Sequence, residues 1–166
     1  MVRVRSVSHR TPAGIIDSVV DLDKYEACAG GLMSDDAASV VLVREPFTIE
    51  RLGRIRDVVR WACTKVGLSV TRAERFVVAV CEAVTNAIQH GGGKGYLEIT
   101  QTDQTALTAR VVDHGPGMST DDPVERPPAS SIRGRGRWVM REYCDRVIFR
   151  SGSNGTTVEL VMNLPG

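Results

Sequence analysis

The sequence is poor in the features that reveal a function by composition. Its four cysteines, Cys28, Cys63, Cys81 and Cys144, are widely spaced, with no Cys-x-x-Cys pair and no histidine at zinc-ligand spacing. That pattern argues against a structural metal site and leaves reduced, mostly buried thiols. No apolar run is long enough to span a bilayer, and the charged opening Met1-Val2-Arg3-Val4-Arg5 is not followed by the apolar stretch of a signal peptide. A cytoplasmic protein with no membrane partner is therefore expected. Charge of one sign is lacking too, since 21 Lys and Arg face 20 Asp and Glu for a formal net charge of +1. Sequence-independent nucleic-acid binding depends on clustered excess cations, so no direct nucleic-acid partner is expected. What is present is an ordinary globular composition, 42% hydrophobic and 25% charged over 166 residues, enough for one domain with a full core.

Residues 1–36 show no sustained period and carry no recognisable chemistry, so the chain divides into that segment and a domain over residues 37–166. The β-branched run Val40-Val41-Leu42-Val43 reads as a strand ended by Pro46. Thr48 can cap a helix whose apolar positions, from Ile49 through Ile55 and Val59 to Val66, recur every three or four residues before Gly67. Its other face bears Arg51, Arg54, Arg56, Arg60 and Lys65, either a solvated face or a surface for an acidic partner. Thr71-Arg72-Ala73-Glu74 has the form of a capping box opening a second helix, which Gly91-Gly92-Gly93 terminates. A hairpin follows, with strands at 96–101 and 106–113 around Thr102-Asp103-Gln104. Residues 118–132, rich in Pro, Asp and Ser, read as a mobile loop. Gly134 opens a third helix to about Cys144, and strands at 147–150 and 156–162 close the chain. The expected fold is α/β: a two-layer sandwich of a mixed, mostly antiparallel sheet with helices on one face.

Three segments carry chemistry. Glu82, Asn86 and His90 recur every four residues on the second helix, so they line one strip about 12 Å long. An amide oxygen there could ligate Mg²⁺ and a carboxylate could accept a proton from an attacking hydroxyl, although the solvent side of an amphipathic helix has the same spacing. Asp113 ends an apolar strand, where its carboxylate could accept from the exocyclic amino group of a base such as adenine, with Gly115 and Gly117 letting the backbone approach the ring; a plain turn is the alternative. Arg133-Gly134-Arg135-Gly136-Arg137 precedes a helix and suits a phosphate, or a flexible basic loop. Gly155-Thr156 is a weaker signal of the same kind.

Together, Glu82-x-x-x-Asn86-x-x-x-His90, Asp113-x-Gly115-x-Gly117, Gly134-x-Gly136 and Gly155-Thr156 resemble the N, G1, G2 and final boxes of the GHKL nucleotide-binding fold, over about residues 39–164. The short span before the second pair of glycines is most similar to the bacterial anti-sigma factor serine/threonine kinases. A histidine kinase would need an upstream helix pair, for which residues 1–36 are too few and unpatterned. The resemblance implies ATP and Mg²⁺, with Glu82 as general base, Asn86 as metal ligand and Asp113 as adenine reader. It implies Gly115, Gly117, Gly134 and Gly136 as pocket and lid backbone, His90 near the phosphates, and Thr156 in the final motif. It further implies a homodimer whose partners are a sigma factor and a STAS-type anti-anti-sigma protein phosphorylated on Ser or Thr. The basic helix face of Arg51, Arg54 and Arg60 is the expected contact surface. A regulator that binds nucleotide and partner without transfer is the alternative. Arg137 departs from the family pattern, which is usually apolar there, and it shares with Arg133 and Arg135 the possible contact to the γ-phosphate.

Overall fold

The computed structural model describes residues 39–118 and 135–165. The expectations for residues 1–36, Cys28, most of the loop at 118–132, and Arg133 and Gly134 fall outside these residues. The described chain forms β1 (Ser39–Phe47), a 3₁₀ turn (Ile49–Arg51), α1 (Leu52–Lys65), α2 (Val70–His90), β2 (Gly95–Thr102), β3 (Ala106–Asp113), α3 (Arg135–Tyr143), β4 (Arg146–Gly152) and β5 (Gly155–Asn163). The strands make one sheet in the order β1-β2-β3-β5-β4.

Every pairing in that sheet is antiparallel, which corrects the expectation of a mixed sheet. The reason is one insertion. After α3 the chain lays β4 at the far edge and turns back, so β5 enters between β4 and β3; a parallel pair would arise only if β4 lay directly beside β3. The two-layer architecture stands.

Alternation decides which strand residues face the helices: Leu97 and Ile99 of β2, Leu107, Ala109 and Val111 of β3, and Val158, Leu160 and Met162 of β5 are all buried. The register of β1 slips between Val41 and Val43, a bulge that leaves adjacent Leu42 and Val43 both buried. From α1, Ile55, Val58, Val59, Ala62 and Cys63 form one stripe at helical spacing, and Phe76, Val77, Val80, Ala83, Val84 and Ala87 do the same on α2. These residues join the inward strand positions in a single core cluster.

The helix ends differ in detail from the sequence reading. Thr48 precedes the 3₁₀ turn and makes no capping bond; its hydroxyl donates to Glu50 at 2.6 Å. The capping box at Thr71 does not form, because α2 already begins at Val70 after Ser69. Glu74 instead accepts from Arg60 of α1 at 2.8 and 3.2 Å, so a two-pronged ion pair between helices wins over a local cap. At the end of α1 the amides of Gly67 and Leu68 return to the carbonyls of Thr64 and Cys63, with Gly67 left-handed at φ +75°. Past α2, Gly91 has φ −99° and only Gly92 and Gly93 are left-handed. The basic face of α1 is also less available than its composition implies. Arg54 is paired with the buried Glu45 of β1 and Arg60 with Glu74.

The β2–β3 hairpin turns through Asp103 (φ +46°) and Gln104 (φ +57°), closed by the Thr105 amide on the Thr102 carbonyl at 2.8 Å. Two consecutive left-handed residues define the primed turn that suits strand twist, and neither is glycine. Gln104→Gly is expected to raise unfolding free energy by about 0.5–1 kcal/mol, the αL penalty less the added freedom of the unfolded chain. Urea denaturation with an unchanged m-value is the check. Burial pushes the thiols of Cys63 and Cys144 up to about 12. The folded chain then keeps both protons at pH values where the unfolded chain loses them, so this contribution to stability declines as pH rises above the ordinary thiol range. Near pH ~8, iodoacetamide should label the two residues only after denaturation, as read by mass spectrometry.

Candidate functional site

Five elements and the turn after β3 meet around a cavity of about 240 Å³. Its floor is apolar, from Ala83 and Ala87 of α2, Val111 of β3 and Val158 of β5, with Met140 of α3 and Phe149 of β4 as walls. Polar groups enter at separate points: Asp113 and Thr156 together, Asn86 and His90 from α2, and Arg137 from α3. A small apolar enclosure with few convergent polar groups is the usual form of a ligand pocket.

The Asp113 end is the most constrained. The residue is 7% exposed, and Oδ1 accepts from the amides of Gly115 at 3.0 Å and Thr156 at 3.1 Å. A buried carboxylate has to be hydrogen-bonded, and these two donors fix its rotamer. Oδ2 carries neither bond and lies on the Gly91 side. Ser151 adds a second tie: its hydroxyl accepts from the Met118 amide at 2.7 Å and lies 3.1 Å from the Thr156 hydroxyl. The turn after β3 is thus bound to the β4–β5 hairpin by backbone amides.

Close approach of main chains explains the glycine at 115. A Cβ there would lie 2.5 Å from the Cα of Gly91 and 2.6 Å from its carbonyl carbon, and neither backbone can move aside cheaply.

At the other end, Glu82 and Asn86 face the first turn of α3. A Cβ on Gly136 would sit 2.9 Å from Glu82 Oε2 and 3.2 Å from Asn86 Nδ2, so the glycine lets α3 lie directly against the polar strip. His90 is exposed at the cavity mouth, one turn beyond Asn86. Glu82 borders the cavity without lining it. Arg135 is exposed at the start of α3, whereas the Arg137 guanidinium lies over the Phe149 ring at 5.1 Å.

Among the described residues, no group of three or more His, Cys, Asp and Glu side chains could hold a metal ion by itself. The donor set suits a hard cation that takes one amide oxygen from Asn86 and its remaining ligands from phosphate and water.

The structure thus brings together Asn86, His90, Asp113, Gly117, Gly136, Arg137 and Thr156 around one cavity, with Glu82 and Gly115 at its border. Sequence reasoning missed Gly91, Met140, Phe149, Val158 and the tie through Ser151. Of these, Phe149 and Val158 were findable, because they are partners in the register fixed by the Gly152–Gly155 turn. Gly91 carries no signal beyond a helix stop.

The profile of the histidine kinase-like ATPase domain family matches residues 46–162, and the chain belongs to that family. Membership implies an ATP-binding domain of the kinase-type ATPase fold. No curated protein matches the sequence. Among solved structures, the RsbU and RsbW domains of Rv1364c from Mycobacterium tuberculosis have a TM-score of 0.55 at 20% identity, covering 74% of this chain and 32% of that one. The chain thus spans about a third of that structure's length. The histidine kinase domain of the blue-light activated histidine kinase EL346 from Erythrobacter litoralis has a TM-score of 0.48 at 18% identity, covering 86% of this chain and 70% of that one. At these identities the likeness is one of fold. No helix of the described residues is long and apolar enough to cross a membrane.

Gly115→Ala is expected to lower stability by about 1–3 kcal/mol through backbone crowding against Gly91. Gly53→Ala, at a position with nothing within 4 Å, should leave stability unchanged or slightly raised. Parallel urea melts of the two variants distinguish local overpacking from a general intolerance of added methyl groups.

Proposed function

We propose that the domain, residues 37–166, is an ATP-dependent anti-sigma regulator that binds a sigma factor and phosphorylates a Ser or Thr of a STAS-type anti-anti-sigma protein. In this reading it acts as a cytoplasmic homodimer, and residues 1–36 are a separate segment. One observation carries the reading: Glu82 and Asn86 lie together against Gly136, beside a cavity whose closed end presents the Asp113 carboxylate.

The roles follow from that arrangement. With Oδ1 of Asp113 engaged by two amides, Oδ2 is the oxygen that accepts from the exocyclic amino group of adenine. The Thr156 hydroxyl supports the same edge of the base, while Gly115 and Gly117 form the turn beneath it and Gly134 and Gly136 the approach to the phosphates. Asn86 offers its amide oxygen to Mg²⁺, which when bound neutralises charge on the phosphate oxygens. His90 and Arg135, both exposed at the phosphate side, add polar and cationic contacts, with Arg135 the described guanidinium we assign to the γ-phosphate. Arg133 belongs to the same basic segment. Glu82 takes the proton of the attacking hydroxyl as that oxygen bonds to the γ-phosphorus. The bond to the β–γ bridging oxygen breaks with its electron pair, and ADP leaves.

The choice of the anti-sigma branch rests on the motif spacing and the short span before the Gly134 pair. The partner surface is left off the α1 arginines, since Arg54 and Arg60 are committed to Glu45 and Glu74.

Glu82→Gln should abolish most phosphoryl transfer to a STAS-domain acceptor, a loss of roughly 10²–10⁴-fold, while ATP affinity stays near wild type. Asp113→Asn should weaken ATP binding by about 1–3 kcal/mol. Titration calorimetry and transfer of labelled phosphate check the pair. Full nucleotide-dependent partner binding with no phosphorylated acceptor in wild type would replace the kinase with a binding-only regulator.

A further inference from the structure

The wall of the cavity formed by α3 and β4 holds an arrangement that the roles above leave unused. Phe149 projects from β4 into the cavity beside Val158 of β5. Two guanidiniums of α3 lie over its ring, that of Arg137 at 5.1 Å and that of Arg141 at 6.0 Å. Four residues apart on a helix, these side chains share one face, so both engage a single ring. A cation over an aromatic face is attracted by the ring quadrupole, more strongly where water is partly excluded. Met140, fully buried on the same helix, completes this wall.

We propose that Arg137 is a positioning residue for the base: with Arg141 it clamps Phe149 as the aromatic wall of the purine subsite, and it makes no contact with the terminal phosphate. The inference rests on the nucleotide-binding reading above. The geometry separates the two arginines that follow Gly134. Arg135 is exposed at the first position of α3, while Arg137 is drawn back along the helix onto a ring of β4. Phe149 is a partly buried residue packed against the core, so the clamp also joins α3 to the edge strand of the sheet. A base entering between Phe149 and the Asp113 carboxylate would find its flat face and its hydrogen-bonding edge fixed by separate elements. An arginine thereby replaces the apolar contact usual at this position without leaving a charge facing the apolar floor.

The test is a set of titrations of the full chain with Mg²⁺ and ATP, ADP or AMP, using wild type, Arg137→Met, Arg137→Lys, Phe149→Leu, Phe149→Tyr and the Arg137→Met/Phe149→Leu double variant. Folding of each is verified by near-ultraviolet circular dichroism. Arg137→Met is expected to weaken all three nucleotides by the same factor, about 2–10-fold, the range of one such cation–ring contact. Arg137→Lys and Phe149→Tyr, which keep a cation and a ring, should restore most of that loss. The double variant should be no weaker than Phe149→Leu alone, since the clamp acts through the ring. A loss for Arg137→Met at least tenfold greater with ATP than with ADP would overturn the proposal and make Arg137 a γ-phosphate ligand. No loss with any nucleotide, or additive losses in the double variant, would also overturn it. Failure of the underlying reading looks different: wild type would then bind none of the three, or Asp113→Asn would bind them all normally.

Discussion

Two backbone amides converging on one oxygen of Asp113 hold the candidate site together. The carboxylate is buried, and a buried charge without donors would cost several kcal/mol, so the amides of Gly115 and Thr156 are obligatory partners. Meeting that demand brings the end of β3, the turn after it and the start of β5 to one point. Gly91, at the end of α2, closes over the same carboxylate, with no side chain on it or on Gly115 to hold the two backbones apart. The hydrogen bonds through Ser151 extend the arrangement to β4. Segments separated by more than forty residues in sequence therefore share one rigid corner. Its geometry is set before any ligand arrives, the condition under which a single acceptor can discriminate between bases.

From that corner the cavity divides by polarity. Ala83, Ala87, Val111, Met140 and Val158 keep the Asp113 end dry, so a hydrogen bond to the carboxylate competes little with water. The Asn86 and His90 end opens to solvent. Helix α2 serves both ends because its alanines and its polar strip lie on neighbouring faces: Ala83 and Ala87 belong to the floor, and Glu82 and Asn86, each one residue before an alanine, lie one step around the helix in line with His90. A single helix thus sets the distance between the Asp113 end and the open end of the cavity.

Much of this was legible in the sequence because local rules and tertiary demand agreed. The 3.6-residue stripe of α1 and α2, the period-two strands around Thr102–Thr105 and the spacing of the polar strip all describe one-dimensional patterns that the fold preserves. The failures share a cause. The Thr71 capping box lost to the Arg60–Glu74 pair, and the basic face of α1 lost Arg54 to Glu45, because a partner distant in sequence outcompeted a near one. The mixed sheet was misread for the same reason, since strand order depends on where β5 inserts and not on any strand's own residues. Phe149 escaped notice because a lone phenylalanine on a short strand reads as core until the β4–β5 register places it opposite Val158.

The Glu82 carboxylate lies against the first turn of α3, where the helix dipole favours negative charge. On the proposed reading a triphosphate would be drawn to the same pole, so carboxylate and phosphate would compete for it and repel each other, an interaction of about 4 kcal/mol for unit charges 4 Å apart at an effective dielectric of 20. Arg135 at the start of α3 offsets part of that repulsion from outside the strip. On that reading a neutral amide at position 86 adds nothing to the repulsion, as a second carboxylate would. Asn86 can offer an oxygen to a divalent cation lying between the two anions without adding to the negative charge. An aspartate there would strengthen the hold on the cation in the absence of nucleotide and weaken the coupling of the two. On the reading proposed above, the pairing of a carboxylate at 82 with an amide at 86 would make cation and nucleotide binding depend on each other.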